Sequence, residues 1–121
     1  MQSPIHNRVG IVFIPVSDMQ RAITWYSRLL GLPAGDTSHN DNIYNLPMQG
    51  DIGVILDSHK AVRNSSQPLL SFWTDDITAT WRFLQELDAE IVSAVEDIGS
   101  VSTLIFKDPD QNLLMVCQPN S

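Results

Sequence analysis

Few side chains in this 121-residue sequence are equipped for catalysis or for metal binding. The histidines are His6, His39 and His59, and the single cysteine is Cys117. A histidine becomes a ligand or a general base when further donors or a proton partner stand within hydrogen-bond reach. His39 has Asp41 two residues ahead, and His59 has Asp57 two residues behind. Either pair could hold one side of a metal ion, but histidines in surface loops are the simpler reading of both. Cys117 has no histidine or basic residue beside it in the sequence to lower its thiol pKa. An inert, buried cysteine fits it better than a nucleophile does. Asp75 and Asp76 precede a helical pattern, where carboxylates act as caps more readily than as an acid/base pair. There is no glycine-rich phosphate loop, no recognisable Ser/His/Asp motif and no basic patch interleaved with aromatic residues.

Charge narrows the partners. Fourteen acidic residues against seven lysines and arginines give a formal net charge of -7. That excess repels nucleic-acid phosphates and anionic membrane surfaces, so neither is expected as a partner. It favours a neutral or cationic ligand, or it serves solubility alone. A hydrophobic content of 43% with 17% charged residues supports a folded globular chain, and the length fits one domain spanning residues 1–121. No apolar run approaches the roughly 20 residues that cross a bilayer, and the start, Met1 to His6, lacks the basic and apolar blocks of a signal peptide. With one cysteine there is no internal disulfide, and a cytoplasmic location is expected.

The elements that would position these residues follow one plan used twice. Val9 to Val16 is an apolar, β-branched run that reads as a buried strand. Ser17 suits an N-cap with Gln20 completing a capping box, and Met19, Ala22, Ile23, Tyr26, Leu29 and Leu30 form one helical stripe. Gly31 and Pro33 end that helix. Leu69 to Thr74 is again strand-like, Asp75-Asp76 cap a second helix, and Ile77, Trp81, Leu84 and Leu87 are its stripe. Asp88 stands where a left-handed residue is expected. Val16-Ser17-Asp18 aligns with Thr74-Asp75-Asp76, an offset of 58 positions. Shorter β-like segments follow each helix: Ile43 to Met48 and Ile52 to Leu56, then Glu90 to Val95, Val101 to Phe106 and Leu113 to Cys117. The spacing predicts helices over Asp18–Leu30 and Asp76–Leu87, with Trp81 in the core and Trp25 available to a subunit contact. The fold class is α+β, with tandem βαβββ modules (about 7–57 and about 68–119, joined by a polar linker of about 58–67) making a cup-shaped mixed sheet with its helices outside.

Ile14-Pro-Val-Ser-Asp18, Ala22-Ile23, Trp25-Tyr26 and Leu29-Leu-Gly-Leu32 resemble the opening of vicinal-oxygen-chelate proteins, the glyoxalase/bleomycin-resistance/dioxygenase superfamily. Phe106-Lys-Asp-Pro-Asp110 and Asn112-Leu-Leu resemble their closing turn and last strand. The resemblance implies four metal-ligand positions, and it lays them on Ile11, Leu56, Leu69 and Met115. Isoleucine and leucine have no lone pair to give, and a thioether suits hard divalent ions poorly. No metal and no other cofactor is therefore expected. Metal-free relatives with this plan include bleomycin-resistance proteins, which bind drugs without transforming them.

The leading expectation is a small, mostly apolar or aromatic molecule held in the cup. Its contacts would be Ile11, Phe13, Leu56, Leu69, Ser71, Trp73, Met115 and Cys117, grouped by strand alternation. Trp73 would supply an aromatic wall or fill the cup itself. The alternatives are a lyase, isomerase or oxygenase with a relocated active site, and a structural module whose cup is filled by its own side chains. A homodimer is expected, because sheet edges need partners.

Overall fold

The structure, a computed structural model, describes residues 2–33, 42–59, 62 and 65–121. The His39–Asp41 pair and linker residues 60, 61, 63 and 64 lie outside these.

Strand β1 (Ile11–Pro15) leads into helix α1 (Met19–Leu30). The N-cap is Asp18, one residue beyond the expected Ser17; its carboxylate accepts the Arg21 N–H at 3.1 Å. Ser17 is drawn elsewhere: its backbone N–H and its hydroxyl both donate to Asp110 Oδ1. Met19, Ala22, Ile23 and Tyr26 are buried, and Gly31 closes the helix in the left-handed conformation at φ 66°. Strands β2 (Ile43–Leu46) and β3 (Gly53–Asp57) follow. The second half repeats the plan: β4 (Ser71–Trp73), α2 (Ile77–Glu86), β5 (Glu90–Ile91), β6 (Glu96–Asp97), β7 (Val101–Lys107) and β8 (Leu113–Pro119). Asp76 caps α2 by accepting the Ala79 N–H at 3.0 Å, and Asp88 is left-handed at φ 59°.

Among the described residues two helices and eight strands give the α+β fold expected. The strands form two mixed sheets. One has the order β1-β3-β2, the other β4-β8-β7-β5 with β6 also on β7. In each sheet the strand before the helix pairs in parallel with the last strand of its half, β1 with β3 and β4 with β8. All other pairings are antiparallel. Of the expected strand Glu90–Val95 only Glu90–Ile91 (β5) forms, and β6 begins beyond it at Glu96. The N–H groups of Val92 and Ser93 both donate to the Ile105 carbonyl, while the Ser93 hydroxyl accepts the Ile105 N–H at 2.9 Å. A side chain replaces a ladder bond there, which is the mark of a bulge.

One core serves both halves, with Ile14, Val16, Ile23, Tyr26 and Leu56 joined to Leu84, Leu104, Phe106, Leu114 and Val116. Trp25 is half-buried against the core, its ring 6.4 Å from that of Phe106. Trp81 is 38% exposed and does not belong to this core. Ile77 and Leu84 are the buried residues of α2, and the Thr80 hydroxyl lies 2.8 Å from that of Thr74.

The halves are pinned together by the turn Asp108-Pro109-Asp110. Asp108 is buried, and its two oxygens accept four hydrogen bonds: from the Asp110 and Asn112 N–H groups, the Tyr26 hydroxyl at 2.6 Å and the Asn112 amide at 2.8 Å. The Asn112 amide also donates to the Pro15 carbonyl, and Arg21 pairs with Asp110 at 2.9 Å. Burial, reinforced by the Asp108 carboxylate, holds the Tyr26 hydroxyl protonated well above the usual tyrosine range. Tyr26→Phe should cost about 1–3 kcal/mol, and Asp108→Ala about 3 kcal/mol or more because it strands several buried donors. Urea unfolding measures both; a loss below about 0.5 kcal/mol for Asp108→Ala would contradict this role.

Candidate functional site

Alternation along the strands separates two faces. Ile14 pairs with Leu56 across β1 and β3, and both are fully buried on the helix-covered face. Ile11 and Phe13, on the opposite face, are 51% and 53% exposed. Phe13 stands beside Ile55. In the second sheet Leu104, Phe106, Leu114 and Val116 are buried against the helices, and Thr103 and Cys117, on the opposite face, are buried as well. Ser71, Met115 and Ile105 form one row on the other face, and Trp73, Cys117 and Thr103 form the next. Trp73 is 73% exposed. The chain thus presents large apolar side chains on two open sheet faces, where soluble proteins usually cover such groups or use them.

Six of the eight expected contact residues fall on these open faces: Ile11 and Phe13 on the first, Ser71, Trp73, Met115 and Cys117 on the second. Leu69 lies just before β4, where its N–H donates to the Leu113 carbonyl, and it packs against the fringe of the core. Leu56 is a correction. It faces the helices, because β3 ends at Asp57 and a shift of one residue moves a side chain to the opposite face. Ile55 takes its place on the other face, where it is 9% exposed beside Phe13. Ser71 follows Phe13 by the same 58-position offset, and Ser71 pairs with Met115 as Phe13 pairs with Ile55.

This correction keeps the chemistry apolar. Ile11, Ile55, Leu69 and Met115 offer neither imidazole nor carboxylate, so these positions do not fit a divalent metal. Among the described residues no three His, Cys, Asp or Glu side chains come together as a metal-holding group. The Asp57–His59 pair does form, with His59 Nδ1 3.6 Å from Asp57 Oδ1 and the His59 N–H donating to the same oxygen at 2.8 Å. Asn42 flanks His59 Nε2 at 3.3 Å. Asp57 is two residues beyond Ile55 and so shares the open side of β3. The sequence reading used it only as a neighbour of His59; the end of the strand was the signal that could have assigned it there.

Cys117 is buried, and the Ser71 hydroxyl donates to its sulfur at 2.8 Å. Among the described residues no basic group is bonded to either, so the pair can order the sheet face but has no base there to activate a nucleophile. No helix among the described residues is long and apolar enough to cross a membrane.

The model of the Glyoxalase/Bleomycin resistance protein/Dioxygenase superfamily matches residues 8–116. No curated protein matches the chain. Among solved structures, the chain is similar to TnmS3, an antibiotic binding protein from Streptomyces sp. CB03234, with 22% identity, 98% of this chain and 100% of that one covered, and a TM-score of 0.72. A superfamily member from Sphaerobacter thermophilus matches at 21% identity, with 93% and 98% coverage and a TM-score of 0.72. A virulence protein from Salmonella typhimurium matches at 22%, with 96% and 99% coverage and a TM-score of 0.71. At these identities the likeness is one of fold.

The assignment of faces is testable by truncation. Leu56→Ala should cost about 2–5 kcal/mol, whereas Ile11→Ala should cost about 1 kcal/mol or less. Equal losses in denaturant melts would contradict the register.

Proposed function

The chain belongs to the Glyoxalase/Bleomycin resistance protein/Dioxygenase superfamily, and from that membership we propose that it binds a small, mostly apolar or aromatic molecule without using a metal. The observation that carries this reading is the pairing of exposed aromatic side chains, Phe13 and Trp73, with apolar residues at the expected ligand positions. A planar or hydrophobic molecule laid against Phe13, Ile55, Trp73 and Met115 gains from burial and stacking, with Ser71 available as a polar contact. The antibiotic-binding neighbour of the same fold supports this class of ligand.

A second copy of the chain completes the site in this reading. Among the described residues β1 and β4 are each the edge of their sheet, and the two sheets share no hydrogen-bonded edge. The apolar open faces would stay wet in a lone chain. A homodimer that sets the open face of one half against its counterpart from the partner makes the cup. The lone free cysteine supports a reducing, cytoplasmic setting. An enzyme with a relocated metal remains the second reading, since Asp57 and His59 supply two donors; it needs further ligands from water or substrate.

Three results follow from this proposal. EDTA should leave the melting temperature and ligand binding unchanged. A metal bound only by the folded state would stabilise by about 2.7 kcal/mol at a hundredfold excess over its dissociation constant, so a melt that falls in EDTA would contradict the proposal. In a thermal-shift screen, aromatic compounds should raise the melting temperature equally with and without EDTA, and Met115→Glu should abolish the rise; a rise that survives Met115→Glu would move the ligand elsewhere. Sedimentation at micromolar concentration should show a dimer that Phe13→Asp converts to monomer; a monomer of about 13.5 kDa for the unaltered chain would count against the shared cup.

A further inference from the structure

The row Trp73, Cys117 and Thr103 crosses three adjacent strands on the open face of the second sheet, and Glu96 continues it onto β6. Thr103 stands out in this row. It is only 6% exposed on a face turned away from the helices, and its hydroxyl has no hydrogen-bond partner among the described residues. Ser102, one residue earlier and on the opposite face, donates to Asn120 Oδ1 at 3.0 Å. A hydroxyl taken out of water without a partner carries the cost of its desolvation, and native structures rarely leave one so without a reason.

The neighbours of Thr103 do not meet its need. The Ser71 hydroxyl donates to Cys117 Sγ at 2.8 Å and so has spent its proton. Glu96, the partner of Thr103 on β6, is exposed and not bonded to it. What the Thr103 hydroxyl lacks is an acceptor, and the Cys117 thiol beside it is a second, weaker donor. A ligand oxygen that accepts and carries no proton of its own meets both. That oxygen is not a carboxylate, because an anion would meet Glu96 and the net charge of -7. A carbonyl escapes this repulsion. The Trp73 indole stands free at the other end of the row, two strand spacings or about 10 Å from Thr103, and offers a flat surface for stacking.

We propose that Thr103 selects the ligand of the open face by donating to the carbonyl oxygen of a neutral aromatic compound, a ketone, lactone or amide, whose ring lies over Cys117 against Trp73. This rests on the reading of the open faces as the ligand site and adds to it the polar group the ligand must carry.

The test titrates 1-indanone into the ¹⁵N-labelled full-length protein, with indane as the counterpart that lacks the carbonyl. Both should give saturable shifts at the amides of Thr103 and Cys117 and at the Trp73 indole N–H, with 1-indanone bound about fivefold more tightly. Thr103→Val keeps the branched shape and removes the hydroxyl, so it should bring the ratio of the two affinities close to one; Thr103→Ser should keep the preference. Because the hydroxyl has no partner to lose, Thr103→Val should unfold in urea at no lower a midpoint than the unaltered chain. A preference for 1-indanone that survives Thr103→Val would overturn the proposal, as would shifts from 1-indanone centred away from this row. Equal affinity for the two compounds in the unaltered chain would remove Thr103 from recognition and leave the open faces as the ligand site. No saturable shift from either, together with no rise in the thermal-shift screen, would remove both. The comparison of the two compounds uses the unaltered chain, so it decides the matter even where a variant fails to fold.

Discussion

Asp108 is a carboxylate taken almost wholly out of water, and each of its oxygens must be met by donors that the fold supplies. Two come from the backbone of its own turn, one from Asn112 and one from Tyr26 on the first helix. Meeting that requirement brings the last turn of the second half onto the first helix of the first half. Asn112 then ties the end of β1, and Asp110 gathers Ser17 and Arg21. The common core of the two halves, with Phe106 next to Trp25, is assembled around this junction. A sequence made of two similar halves could have folded as two loosely related units; a buried polar network with a single satisfied geometry fixes how they meet.

With the helices committed to one face of each sheet, the opposite faces are left to function. Their composition decides what they can do. A metal centre in this fold needs several donors at once, and a partial set would leave expensive unpaired groups in an apolar setting. The chain avoids that state by carrying Ile11, Ile55, Leu69 and Met115 together. What remains is apolar and aromatic surface with a few hydroxyl, thiol and carboxylate groups at its margins, which in the proposed reading holds a small molecule.

Both helices and the duplication were legible in the sequence, because a period of 3.6 is strong when apolar residues alternate with polar ones; β1 and β8 are apolar along most of their length, and their sidedness came from the family resemblance. The failures share a cause. Gly53 to Leu56 is apolar throughout, so its alternation is silent, and placing Leu56 in the cup rested on where the strand ended. Ser17 and Asp18 are both good caps, and only the distant Asp110 determines which of them serves. Trp81 obeyed helical spacing, yet Ile77 and Leu84 alone are the buried residues of α2, with Thr80 bonded to Thr74 beside them. The break between β5 and β6 depends on the Ser93 hydroxyl bonding to Ile105, a contact that local sequence does not announce.

The central claim is that this chain uses the fold to hold an organic molecule without a metal. Native mass spectrometry of the purified protein, at a resolution that separates a bound metal from a bound organic compound, addresses it most directly. The account predicts a dimer whose excess mass, if any, belongs to a small organic ligand that leaves on activation, with metal far below one atom per chain. A species carrying one transition metal per chain, retained through buffer exchange and removed only by a chelator, would contradict it.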